Sequence, residues 1–169
     1  ASTEPVERGH EILERFSSGA EAEVFVDYVA ARRDALPAAE QDRIGRGSYL
    51  VNAVSACAGC HSDGETLPNS VDINTAVYLS GGADLSSRAF LPTPVYARNL
   101  TPEPETGFSL DSGQFFNVIR YGADYRRPGG SLRIPPHWPS EFAMTQQDVA
   151  SLYAFLQVIP PIANQIEIT

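Results

Sequence analysis

Residues 53–62 read AVSACAGCHS, and the run Cys57-Ala58-Gly59-Cys60-His61 within them holds both cysteines of the 169-residue chain. Three chemistries use cysteines at this spacing: a redox dithiol, a zinc site and covalent attachment of haem. On a helical turn Cys57 and Cys60 stand at i and i+3, so both sulfurs face one side and can form thioethers with the vinyl groups of one porphyrin. His61 is i+4 from Cys57, shares that face and can reach the iron, which is commonly ligated by such a histidine. A thioredoxin-like dithiol needs a strand before the motif and a parallel sheet beside it, and the sequence offers neither. For zinc, His61 follows Cys60 directly and no second histidine pair has finger-like spacing. A disulfide across two intervening residues closes almost no loop and stabilises little. Spacing therefore points to haem c, with both cysteines consumed as thioethers.

Upstream of the motif, residues 1–40 read as an N-terminal helical extension. In EAEVFVDYVAARRDAL (residues 21–36), Val24, Phe25, Tyr28, Val29 and Leu36 form the expected apolar stripe, and Pro37 stops the helix. A second helix is expected from about Glu40 into the cysteine motif, with Gly47, Leu50, Val51 and Val54 at i, i+3, i+4, i+7. Residues 62–110 are rich in Pro, Gly, Ser, Asn and Asp. So long a loop in a compact domain is expected to wrap something, which fits a haem. Asp111 with Gln114 reads as a capping box opening a helix that ends near Gly122. A second irregular stretch, RRPGGSLRIPPHWPSEFA (residues 126–143), leads to the last helix. Thr145 and Asp148 cap that helix, Val149, Leu152, Tyr153 and Leu156 form its apolar face, and Pro160 and Pro161 end it. No internal repeat and no long β-alternation appear. The expected fold class is all-α.

Charge narrows the partners. There are 21 acidic residues against 12 basic ones, a net charge of −9, and every basic residue is arginine. Nucleic acid and anionic membrane surfaces need clustered positive charge, so neither is an expected partner. No stretch approaches the roughly 20 apolar residues that span a bilayer. The small, polar start ASTEPVERG resembles a mature end left after removal of a signal peptide, which makes an exported, periplasmic protein the expectation.

Several stretches resemble the class I c-type cytochromes, and more narrowly the cytochrome c subunits and domains that accept electrons from periplasmic dehydrogenases. They are GSYLVNAVSACAGCHS, VYLSGG, YARNLTPEPETGFS, FFNVIRYG and MTQQDVASLYAFLQVIPPI, in the family's order, and together the resemblance covers about residues 42–163. The resemblance implies a monohaem cytochrome c domain over residues 41–163 and a C-terminal tail over 164–169. It implies single-electron transfer between a dehydrogenase donor and an oxidase or second cytochrome, with no catalytic residue in the chain itself. The first and last core helices are expected to cross at Gly47, against Leu152, Phe155 and Leu156, because the missing Cβ permits close approach. Residues 1–40 have no counterpart in the family; packing across the core, a homodimer interface and docking on the partner enzyme are the three readings. Without lysine, a lysine-ringed docking face is excluded, and an acidic or apolar one is expected.

Family members usually carry a methionine ligand in a run such as M-P-W-P. Here the matching run is Pro136-His137-Trp138-Pro139. Three arrangements remain for the far side of the iron: His137, giving a bis-histidine haem with His61; Met144, the only methionine; or an open site. His137 is favoured, because Met144 immediately precedes the Thr145 cap, where an apolar residue staples a helix start. Imidazole in place of a thioether implies a lower potential. An open site implies instead a haem sensor or a peroxidatic cytochrome. Trp138 reads as a residue against the haem, or equally as a buried tryptophan beside a proline turn. Arg88, Arg98, Arg126, Arg127 and Arg133 are candidates to pair with haem propionates, Arg98 and the adjacent Asn99 first among them. Tyr49, Tyr78, Tyr96 and Tyr121 are candidates for the crevice, and His10 is expected on the surface.

Overall fold

In the computed structural model, which describes residues 3–15, 19–64, 72–86, 93–126, 130–132 and 143–166, the chain begins with helices α1 (Glu4–Arg15), α2 (Ala20–Asp34) and α3 (Ala38–Tyr49). Acidic side chains in the first turns and arginines in the last turns of α1 and α2 complement the helix dipoles. Pro37 stands at the boundary before α3, where its missing N–H costs nothing.

Helix α3 is packed on two opposite sides, and its glycines explain how. Gly45 and Gly47 are two residues apart, roughly 200° around the helix, so they face different neighbours. On one side a Cβ at Gly9 of α1 would lie 1.6 Å from the Gly45 carbonyl oxygen. On the other, a Cβ at Gly47 would lie 2.0 Å from the Ser151 carbonyl oxygen and 2.8 Å from Phe155 Cβ. Ser151 and Phe155 belong to the last helix, which spans Gln146–Leu156. Leu152, Phe155 and Leu156 are buried at that crossing, which is where the glycine reading placed them. Leu13, Phe25 and Val29 join Val51, Tyr78, Phe115 and Phe155 in one apolar cluster, so α1 and α2 share the core with the later helices.

Two apolar stripes differ from expectation. In α2 the buried residues are Ala22, Phe25 and Val29, while Val24 is 70% exposed and Leu36, beyond the helix end, is also exposed. Val24 lies one residue from Phe25, about 100° away, so it turns outward. After α3 the chain makes a π-helical turn over Leu50–Val54, in which the Ser55 N–H donates to Leu50 O. The wider turn breaks the 3.6-residue register, and Val54 is exposed rather than continuing the Leu50–Val51 stripe. The expected continuous helix into the motif is therefore interrupted. Ala56 takes a left-handed φ of 47° before α4 (Ala58–His61) begins.

The later elements are α5 (Ser112–Tyr121), strands β1 (Ala123–Asp124) and β2 (Gly130–Ser131), and α6 (Gln146–Leu156). Asp111 and Gln114 form a reciprocal capping box on α5, and Gly122 closes it at φ 64°. Thr145 and Asp148 do the same for the start of α6. The strands pair antiparallel, with Ala123 opposite Ser131 and Asp124 opposite Gly130, a short ribbon that the residue pattern does not announce. The described residues are otherwise mostly helical. No helix among them is long and apolar enough to cross a membrane.

Candidate haem-attachment site

Helix α4 is a single turn, and the two cysteines and the histidine are packed into it. Cys57 occupies the N-cap position, and the His61 N–H donates to Cys57 O at 2.8 Å, which fixes the i, i+4 relation. Cys57, Cys60 and His61 are all half-buried, and the two cysteines are not joined by a disulfide. The strained turn at Ala56 and the π-helical turn before it lie immediately upstream. Such irregularities recur next to functional positions.

Three layers of backbone hold the turn in place. The Gly81 N–H donates to His61 O at 2.7 Å, and the Leu79 N–H donates to the Ser62 hydroxyl at 2.9 Å. Residues 82–85 pair in turn with residues 95–97: Gly82 N–H to Ala97 O, Ala97 N–H to Ala83 O and Leu85 N–H to Val95 O. Gly81 sits at φ 81°, and a Cβ there would lie 2.6 Å from Ala97 O. Glycine is thus required at this position both for its dihedral and for the close approach of residues 97–99.

That approach brings a carbonyl to the imidazole. His61 Nδ1 lies 2.8 Å from Arg98 O. A carbonyl only accepts, so Nδ1 carries the proton and the coordinating lone pair belongs to Nε2. The Arg98 side chain meanwhile forms a fork-to-fork pair with Asp124, Nη1 to Oδ1 at 2.9 Å and Nη2 to Oδ2 at 2.8 Å. The Asp124 side chain is 2% exposed. Asn99, also buried, donates from Nδ2 to Ile162 O at 2.8 Å, and its Oδ1 accepts from the Thr101 N–H and hydroxyl. Its amide ties the loop to the segment after α6.

The remaining expected residues divide plainly. His137 and Trp138 lie outside the described residues, as do Arg88, Arg127 and Arg133. Arg126 is exposed, with one long contact to Gly107 O at 3.4 Å. Met144 packs against the core cluster, and its carbonyl accepts from Arg120. Among the tyrosines, Tyr78 is fully buried and donates to Asn52 Oδ1 at 2.7 Å. Burial pushes its phenol far above the ordinary value, against the opposing effect of the Asn52 hydrogen bond. Tyr121 is 62% exposed, on the outer end of α5, and Tyr96 is at the surface too. His10 is half-buried rather than exposed: it lies against Gly45 where α1 crosses α3, with Arg33 of α2 at 3.4 Å. Burial, and then the Arg33 charge, lower its pKa.

The arrangement fits covalent haem. One turn carries Cys57, Cys60 and His61 in sequence, and the imidazole is already oriented by its other nitrogen, as metal-bound histidines are.

The described residues are thus mostly helical and include a C-x-x-C-H turn, and comparison with known proteins finds relatives. No protein-family model matches the chain. Over 121 residues, 70% of this chain, it is 31% identical to the fructose dehydrogenase cytochrome subunit of Gluconobacter japonicus, of which it covers 21%. It is 26% identical over 133 residues, 76% of this chain, to the cytochrome c subunit of alcohol dehydrogenase (quinone) from Gluconacetobacter polyoxogenes, covering 24% of that protein. The gluconate 2-dehydrogenase cytochrome c subunit of Pantoea cypripedii is 27% identical over 128 residues, 72% of this chain and 24% of its own length. The chain therefore resembles a portion of dehydrogenase cytochrome c subunits, and the matches span between a fifth and a quarter of those relatives.

Proposed function

We propose that the chain is a class I monohaem c-type cytochrome domain that transfers single electrons as part of, or alongside, a periplasmic dehydrogenase. The observation that carries this reading is the His61 Nδ1–H···O=C bond to Arg98 at 2.8 Å, made by the histidine of a C-x-x-C-H turn. A haem bound there supplies the one-electron couple between ferric and ferrous iron. The chain's own part is to hold Cys57 and Cys60 on one face for thioethers and to direct His61 Nε2 at the iron. His137 would be the second residue to hold the iron, and the buried Leu79, bonded to Ser62 just after the motif, would help to keep water from its core side. The cytochrome subunits among the relatives support the electron-transfer role, with a dehydrogenase as donor and a second redox protein as acceptor. A net charge of −9 with no lysine favours a partner that is positive or apolar where it docks.

Optical spectroscopy tests the role. A six-coordinate, low-spin spectrum unchanged by carbon monoxide or cyanide is expected. Rapid binding of either ligand overturns the electron-transfer reading in favour of a sensor or peroxidatic haem.

A further inference from the structure

We infer that Asp124 is a positioning residue for His61, acting through the Arg98 backbone and thereby setting the potential of the iron; this rests on the haem reading above. The Arg98 carbonyl that accepts from His61 Nδ1 lies in a short span between two anchored points. Ala97 is bonded to residues 82 and 83 through both its backbone groups, and the Leu100 N–H donates to Leu79 O. Arg98 and Asn99, between them, are held largely by their side chains: Asn99 to Ile162 and Thr101, and Arg98 to Asp124. Two parallel N–H···O bonds between planar groups fix orientation as well as distance, so the Arg98 side chain cannot rotate without losing both.

Asp124 is itself fixed. It follows the Gly122 cap of α5, lies in β1 opposite Gly130, and its Oδ1 also accepts from the Arg126 N–H at 3.1 Å. A path of bonded groups therefore runs from the end of α5 through Asp124 and Arg98 to His61. An imidazole whose N–H is held by an acceptor donates more strongly to its metal, and stronger donation favours ferric iron. Asp124→Asn leaves a neutral partner that cannot hold both guanidinium nitrogens as acceptors, and the 27%-exposed Arg98 side chain can turn to water. The His61 bond loosens, and the potential rises.

Charge alone also raises the potential when a carboxylate is lost, so the test includes a charge-balanced variant. Midpoint potentials are measured by redox titration of the haem-loaded protein for the parent, Asp124→Asn, the double variant Arg98→Ala/Asp124→Ala, and Asp148→Asn. Asp148 lies in a different ion pair, with Arg46, and serves as a control for lost stability. Solvent exchange of the His61 Nδ1 proton is followed by NMR in the reduced state. The inference expects Asp124→Asn and the double variant to shift the ferric/ferrous preference about threefold, near 28 mV upward at 59 mV per decade, with faster proton exchange. Asp148→Asn should lower the melting temperature and leave potential and exchange unchanged. If Asp124→Asn does not fold, Arg98→Lys, which keeps the charge and loses the fork, is read the same way. The inference is overturned if the potential stays put while stability falls. It is overturned equally if only the single variant shifts, since that is charge alone, or if the Asp148 control shifts as well. Failure of the haem reading looks different, because the parent protein would then carry no covalent haem by intact mass.

Discussion

Replacing Gly47 with alanine places the added methyl in the tightest part of the α3–α6 crossing. The new Cβ would sit 2.0 Å from Ser151 O, 2.7 Å from Ser151 C and 2.8 Å from Phe155 Cβ. An ordinary contact begins near 3.4 Å, so the gap is short by about 1.4 Å against the Ser151 oxygen. Two of the three opposing atoms are backbone and cannot swing aside as a side chain would. Helix α6 must therefore move away bodily, loosening the buried Leu152, Phe155 and Leu156. Overpacking of a well-filled core costs roughly 1–3 kcal/mol, and the rigid obstacle puts this site at the upper end. Alanine recovers about 1 kcal/mol through helix propensity. The net loss is about 2 kcal/mol, which for a chain of this size lowers the melting temperature by about 4–8 °C. Gly113→Ala is the matched control: its Cβ meets only the Asp111 carboxylate, at 3.3 Å, on the exposed start of α5. Thermal melts followed by far-UV circular dichroism compare the two variants. A Gly47→Ala protein that melts within about 1 °C of the parent, or above it, refutes the close crossing.

Two other outcomes follow from particular side chains. Burial alone would raise the Asp148 carboxyl, but hydrogen bonds from Thr145 and Arg46 outweigh it and hold the pKa below the ordinary aspartate value. A depressed folded-state pKa gives stability that is full above the unfolded value and is lost as pH falls through the folded one. Asp148→Asn should thus cost about 1–2 kcal/mol at neutral pH, discounted for the partly exposed Arg46, and urea titrations should show the gap from the parent closing below about pH 4. For the iron, His137→Ala is expected to abolish the low-spin spectrum and Met144→Ala to retain it, because Met144 packs against the core. The reverse pattern would make Met144 the ligand.

Features written in neighbouring residues were legible in the sequence. Both capping boxes, the Gly122 cap and the C-x-x-C-H turn depend on contacts within a few positions, and each reads directly from residue types at fixed offsets. Gly47 was legible because the family resemblance implies that the first and last core helices cross, and a residue without a Cβ fits such a close approach. The Gly9–Gly45 approach was not, since neither glycine falls in an apolar i, i+3, i+4, i+7 pattern such as the one Gly47 opens, and its consequence is the half-burial of His10. The π-helical turn was hidden because LVNAV carries no residue that demands it; only the backbone bonds, Ser55 N–H to Leu50 O and Cys57 N–H to Val51 O, reveal it. The partner of His61 was hidden for a more basic reason. It is a backbone carbonyl 37 residues away, and every residue has one. Asp124 was missed in the same way: a lone aspartate after a helix cap reads as a turn residue until Arg98 is seen beside it.

The central claim, covalent haem on the Cys57–His61 turn, is tested most directly by the intact mass of the protein made in cells that attach haem c, compared with Cys57→Ser/Cys60→Ser. The parent is predicted to carry the added mass of a single haem, retained under denaturing conditions, and the double variant to carry none. A parent protein at the mass of the bare chain, or one that loses its haem on denaturation, would contradict it.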